Sequence, residues 1–336
     1  MSLPADPTSM TLAELTGAIA ARKVSSREAT DAYLKRIADW QPHLNAFIAV
    51  EAEEALRAAD EADRRLAKDK PRGTLDGVPF AHKDMFFERG RVSTCGSLIL
   101  RDTVAQTSST ALKRLTDDGS VRLGTLHMAE FAYGPTGHNA HFGPAGNPWN
   151  PLHVTGGSSS GSGAAVAARL TPAALGSDTG GSVRMPANFC GVTGLKTTVG
   201  RVSRFGAMPL SHSLDTIGPL ARTAEDCAIV LQRIAGPDPQ DPTALHRPVP
   251  DYAAACAAPM RGLRLGVPDA FYLDGLDPAT ARAFEAALQL FRDEGVAVVP
   301  VSLPDQTTLS AAGQILLACE AAAFHRKWLA ERPKDY

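Results

Sequence analysis

The sequence predicts an α/β fold, a central β-sheet with helices on both faces. Three observations lead there. Short apolar runs alternate with helix-length segments from residue 77 onward. The first seventy residues read as helices. The composition is that of a globular chain, 44% hydrophobic and 21% charged in 336 residues, which excludes disorder and allows a large core.

In order along the chain, Thr11 to Arg22 sets Leu12, Leu15 and Ile19 on one helical face. Ser25-Ser26-Arg27-Glu28 is a capping box, followed by Ala32, Leu34 and Ile37 near helical spacing. Glu51 to Lys68 is a third helix, ended by Pro71. Val78 to Ala81 reads as a strand leading into His82-Lys83-Asp84. Thr110 to Leu115 is a helix, and Asp118-Gly119 turns into a strand at Val121 to Gly124. Ala164 to Leu170 is a small-residue helix and Ala173 to Leu175 a short strand. Helices at Ala224 to Ile234 and Pro278 to Glu294 alternate with strands at Leu263 to Val267 and Val296 to Val299. One domain over residues 1–336 is expected, with a helical region at 1–70 and a core at 71–235. Pro237 to Pro250 is the candidate linker.

Composition also bounds function. The net charge is −2, from 34 basic and 36 acidic residues without a basic block, which argues against direct nucleic-acid binding. No unbroken apolar run reaches the ~18 residues of a membrane span, so no membrane association is expected. Met1 to Asp6 lacks the basic and apolar regions of a signal peptide. Cys95, Cys190, Cys227, Cys256 and Cys319 are odd in number and widely spaced. They read as free thiols of a cytoplasmic protein rather than a disulfide framework or zinc site.

Gly (29) and Pro (24) are in excess, and the excess concentrates in the middle of the chain, where the chemistry-bearing segment runs from Gly156 to Gly200. Gly194-Leu195-Lys196-Thr197 only half resembles a phosphate loop. Gly157-Ser158-Ser159-Ser160-Gly161 matches a nucleophile elbow in letters, but Asn147 to His153 carries two prolines where that motif needs a strand. Thr179-Gly180-Gly181-Ser182 has the better physics. It follows a short strand, and two glycines let backbone N–H groups turn toward the oxyanion of a tetrahedral intermediate. A serine nucleophile needs a proton acceptor. No histidine has a context that marks it as one, whereas Lys83 ends an apolar strand where burial can remove its charge. His127, His138 and His141 lack the carboxylate pattern of a metal site, so no metal is expected.

These segments together resemble the amidase signature family, which includes bacterial amidases, fatty acid amide hydrolases and the A subunit of glutamyl-tRNA amidotransferase. The resemblance rests on Gly77 to Asp84, Gly156 to Ser159, Gly176 to Arg184, Phe189 to Thr197 and Gly200 to Ser203, in the family's order and spacing. It implies the amidase signature fold, with a mixed central β-sheet flanked by helices on both faces and without a cofactor, and a Ser–cis-Ser–Lys triad. Ser182 matches the nucleophile, Ser158 the bridging serine after a cis peptide, and Lys83 the base. The N–H groups of Thr179, Gly180, Gly181 and Ser182 match the oxyanion hole. Ser159, Asp178 and Arg184 match supporting residues, with Asp84 and His82 as structural partners.

The implied activity is hydrolysis of a small carboxamide to acid plus ammonia or amine. The alternative is a glutaminase-type A subunit of a tRNA-dependent amidotransferase. Tyr133 to His138 departs from the motif expected for the alternative and favours the free amidase. Two further departures are Ser160, where the commonest pattern has glycine, and His141, which is read as a surface or packing residue. A homodimer is the expected assembly for a free amidase, and partner subunits for the alternative. Against the family, the domain is expected to lack its C-terminal part.

Overall fold

The N-terminal helices form where capping and apolar spacing coincide. In the computed structural model, which describes residues 6–336, α1 spans Leu12–Ala20 and buries Leu12, Leu15, Ala18 and Ile19. Both α1 and α2 (Ser26–Leu44) begin in a complete capping box, Thr11 with Glu14 and Ser25 with Glu28. Met1 to Ala5, most of the stretch examined for a signal peptide, lie outside the described residues.

A short strand not anticipated from sequence, β1 (Phe47–Val50), precedes α3 (Ala52–Leu66). The chain then forms β2 (Pro79–Lys83), α4 (Thr110–Asp117), β3 (Val121–Leu126), α5 (Ser160–Ala167) and β4 (Ala173–Asp178). Next come α6 (Arg184–Cys190), β5 (Thr193–Gly194), β6 (Thr216–Ala221) and α7 (Ala224–Ile234). The last elements are α8 (Tyr252–Ala257), β7 (Arg264–Pro268), α9 (Pro278–Asp293), β8 (Ala297–Val301) and α10 (Gln306–Glu331).

Six strands make one mixed sheet in the order β1-β3-β2-β4-β6-β5. β2 runs parallel to both β3 and β4, and the outer pairings are antiparallel. β2 is therefore an interior strand, buried along its whole length. The carboxyl ends of β2, β3 and β4 point the same way, the side on which open α/β sheets place their sites. Helices α2 and α3 pack near β2 and β3, while α5 and α7 pack against β4 and β6. β7 and β8 form a separate parallel pair.

Three expectations need correction. The small-residue helix starts at Ser160, not Ala164, because its glycines serve close packing. A β-carbon on Gly161 would stand 2.3 Å from the Ala46 carbonyl oxygen, and one on Gly163 2.8 Å from Pro186. The strand read as Ala173 to Leu175 continues to Asp178, paired residue by residue with β6. The Pro-rich stretch is no free tether at its start. Asp238 is buried and accepts hydrogen bonds from Ser203 Oγ (2.5 Å) and Thr110 Oγ1 (2.6 Å), and Asp241 accepts from the Arg204 N–H at 2.7 Å.

One helix is more apolar than its unbroken runs suggest. By length and composition α10 could cross a membrane, with mean hydropathy 1.2 over 18 residues. Polar residues such as Ser310 and Gln314 break its apolar run, so a search for unbroken stretches passes over it. Leu317 and His325 are buried, with Ala321 and Trp328 against the core, while Leu309, Ile315, Phe324 and Leu329 are exposed.

Candidate active site

Lys83 closes β2 with its side chain fully buried. Its Nζ lies 2.7 Å from Ser158 Oγ and 2.9 Å from Ser177 Oγ. Burial in the sheet interior brings its pKa down from 10.5 to about 7, even though Asp215 and Asp178 pull it the other way. Lys83 is thus poised to take up a proton near neutral pH.

Ser158 stands just ahead of α5, and the Gly157–Ser158 peptide is cis. Ser159 ties its own loop to the strand and the loop opposite. Its N–H donates to the Ser182 carbonyl (3.2 Å), and its Oγ bonds the Ser177 carbonyl (3.2 Å) and N–H (3.3 Å). A β-carbon on Gly176 would approach Ser159 Oγ to 2.7 Å, so glycine is what lets these two segments meet.

The turn carrying Ser182 is organised by Asp178. Its fully buried carboxylate accepts from the N–H groups of Gly181 (2.8 Å), Val183 (3.2 Å) and Arg184 (3.3 Å). The Arg184 guanidinium adds a bidentate pair, Nε to Oδ2 at 3.0 Å and Nη2 to Oδ1 at 2.9 Å. Burial raises the Asp178 pKa, but Arg184 and these N–H donors outweigh it and hold the carboxyl below its ordinary value. Ser182 lines a cavity of about 340 Å³ with Ala132, Tyr133, Pro135, Met185 and Leu317.

This geometry revises the reading of the two glycines. The Gly181 N–H is committed to Asp178, which leaves those of Thr179, Gly180 and Ser182 as the members of the turn not held by that carboxylate. Only Gly181 needs to be glycine for its conformation, with φ +128°. A β-carbon on Gly180 would meet nothing within 4 Å.

The structure thus brings Lys83 and Ser158 together, links Ser159 to them through Ser177, and joins Ser182 through its carbonyl to the Ser159 N–H. Sequence reasoning passed over Ser177 and Asp215. Ser177 is the second hydroxyl on Lys83. Asp215 accepts from Thr179 Oγ1 at 2.5 Å and from the N–H groups of Leu210 and Ser211, pinning the far side of the turn. Ser177 does lie within the Gly176 to Arg184 motif, but its partner becomes visible only when β4 is laid beside β2.

The remaining candidates make local contacts. Asp84 is buried and bonds the Thr94 N–H (2.9 Å) and hydroxyl, while burial raises its pKa to about 7. His82 is held at about 3 by burial, with Nδ1 on the Lys83 carbonyl. His141 Nε2 pairs with Glu130 at 3.1 Å, and His138 bonds Thr136. Among the described residues no cluster of three His, Cys, Asp or Glu side chains could hold a metal ion.

The amidase family model matches residues 28–335. The chain belongs to the amidase family. It is similar to curated glutamyl-tRNA(Gln) amidotransferase A subunits, at 45% identity over 314 residues for Pelobacter propionicus and 50% over 295 for Methylococcus capsulatus. Those matches cover 94% and 88% of this chain but 64% and 61% of the relatives, so the chain spans less than two thirds of their length.

Among solved structures, a peptide amidase from Stenotrophomonas maltophilia superposes with TM-score 0.87 at 36% identity, covering 96% of this chain and 68% of the other. The glutamyl-tRNA(Gln) amidotransferase A subunit of Thermotoga maritima gives 0.83 at 33%, covering 97% and 68%. A protein described as part of a vestigial complex at the evolutionary origin of an s-triazine catabolic enzyme gives 0.93 at 38%, covering 97% and 71%. The α/β amidase signature fold expected from sequence is the fold of this chain.

Proposed function

We propose that this chain cleaves a carboxamide C–N bond through an acyl-enzyme on Ser182, as the glutaminase-type A subunit of a tRNA-dependent amidotransferase. The observation that carries the chemistry is the buried Lys83 Nζ, 2.7 Å from Ser158 Oγ. Neutral Lys83 accepts a proton from Ser158 while Ser158 takes one from Ser182, and Ser182 Oγ attacks the amide carbon. The oxyanion is met by N–H groups of the turn, from Thr179, Gly180 and Ser182. Ser158 then returns a proton to the leaving nitrogen. Water releases the acid by the reverse relay, with no cofactor in any step.

Identity of 45–50% to curated A subunits supports the amidotransferase reading over the free amidase that the Tyr133 to His138 segment favours. On this reading glutamine is the amide donor, and partner subunits use the ammonia. The five cysteines, all free in the structure, accord with a cytoplasmic setting. The free amidase stays as a second reading because the cavity at Ser182 is largely apolar and the peptide amidase superposes closely.

Ammonia release from glutamine and from simple carboxamides, with and without partner subunits and charged tRNA, separates the two, with Ser182→Ala as control. Release only with partners and tRNA supports the amidotransferase reading, and turnover of simple amides by the chain alone supports the amidase. Ammonia release by Ser182→Ala at the parent rate would overturn both.

A further inference from the structure

One fully buried histidine outside the triad has both ring nitrogens engaged beside the Ser158 loop. His127 directly follows β3. Its Nε2 lies 2.8 Å from the Gly143 carbonyl oxygen and its Nδ1 2.8 Å from Ser160 Oγ. A carbonyl only accepts, so Nε2 carries the hydrogen and Nδ1 accepts from the Ser160 hydroxyl. Two backbone bonds run alongside. The Gly161 N–H donates to the His127 carbonyl at 2.8 Å, and the Ala129 N–H to the Ser158 carbonyl at 3.1 Å. Residues 127–129 therefore grip residues 158–161 at three points, and Ser158, which bonds Lys83, sits at one end of that grip. The bond to Gly143 anchors the ring from the other side.

We propose that His127 is a positioning residue of the site, holding the Ser158 backbone through Ser160 so that the Ser158 hydroxyl meets Lys83 Nζ. The inference rests on the Ser158 proton relay proposed above. It also gives a role to Ser160, where the commonest family pattern has a glycine that could not donate to the ring. A side chain that only fills space would affect stability. One that sets the relay lowers turnover and leaves substrate binding alone.

The test compares Ser160→Ala, His127→Asn, His127→Ala and the Ser160→Ala/His127→Asn double variant in the assembly that shows amide turnover. Ser160→Ala and His127→Ala are expected to lower kcat about tenfold, the worth of one buried hydrogen bond, with KM within about twofold. His127→Asn, whose amide oxygen can still accept from Ser160, is expected to fall less than His127→Ala. The double variant should lose no more than the worse single, as coupled partners do.

Hydrogen exchange of folded Ser160→Ala supplies a readout independent of catalysis, with faster exchange expected at residues 127–129 and 158–161 only. If His127→Ala fails to fold, Ser160→Ala decides. Parent-like kcat in Ser160→Ala, losses that multiply in the double variant, or unchanged exchange at 158–161 would overturn the proposal. Altered exchange without amide turnover in the parent chain would instead count against the relay itself.

Discussion

Lys83 shows how a single side chain is set by the strand that holds it. On an exposed strand its amine would be solvated and charged. Inside β2, with β3 and β4 on either side, it meets two hydroxyls and titrates at about 7. With the proposed nucleophile removed, little activity should remain: Ser182→Ala is expected to lower amide hydrolysis by about 10³-fold or more, read as ammonia release, with an unchanged circular dichroism spectrum. Ser177→Ala removes one acceptor from Lys83 Nζ and is expected to cost about five- to tenfold in kcat. Ser177→Thr, which keeps the hydroxyl, should stay within about twofold. The triad candidates were legible because Lys83, Ser158 and Ser182 sit in motifs with fixed order. Ser177 and Asp215 were not, because their roles depend on β2–β4 pairing and on a loop 36 residues beyond Thr179, contacts that no local pattern reports.

At the scale of elements, the β4–turn–α6 unit carries the site. Arg184 is half exposed, yet its partner Asp178 is fully buried and organises three N–H groups of the turn. Arg184→Ala is therefore expected to cost ~2 kcal/mol in urea unfolding, below the usual cost of breaking a buried pair because water reaches the arginine side. The neighbouring glycines should behave oppositely. Gly180→Ala has open space and is expected to leave the melting temperature unchanged. Gly181→Ala forces a β-carbon at φ +128° and against Met185, and should lower it by several degrees.

Helices with caps and apolar spacing, such as α1 and α7, were readable to within a few residues, and α2 at its capped start. β6 was not. It holds a Gly218-Pro219 pair, residues that interior strands rarely carry, but here Gly218 admits the Leu195 carbonyl, which a β-carbon would meet at 2.0 Å, and the Pro219 carbonyl accepts the Leu195 N–H at 3.0 Å. α5 was read late for the same reason, since Gly161 and Gly163 look like loop residues and act as contact points.

For the whole molecule, the parallel strands β2, β3 and β4 bring residues far apart in sequence to one edge of the sheet. The α/β class was legible from alternation and helical spacing, and the amidase signature fold with its mixed sheet from the ordered motifs of the family. The curated relatives support the proposed amidotransferase reading more than the free amidase, since one divergent segment at 133–138 weighs less than 45–50% identity along most of the chain.

Burial by the entire sheet sets the pH dependence of the site. Protonated Lys83 cannot accept from Ser158, so kcat/KM should rise with pH through about 7 and flatten above it. The same depression below 10.5 means that the unfolded chain binds more protons between about 7 and 10.5. Lys83 therefore adds stability as the pH rises through that window. Chemical denaturation at pH 7 and pH 10 of the parent and Lys83→Met checks the sign, with a smaller pH dependence expected in the variant.

In the proposed mechanism Ser182, activated through Ser158 and Lys83, takes the acyl group, and intact and peptide mass spectrometry after treatment with a fluorophosphonate reads that acylation chemistry at the serine itself. The expected result is a single adduct on the peptide containing Ser182, absent in Ser182→Ala and formed at least about tenfold more slowly in Lys83→Met. A folded parent chain that forms no adduct, or forms it on a different serine, would contradict it.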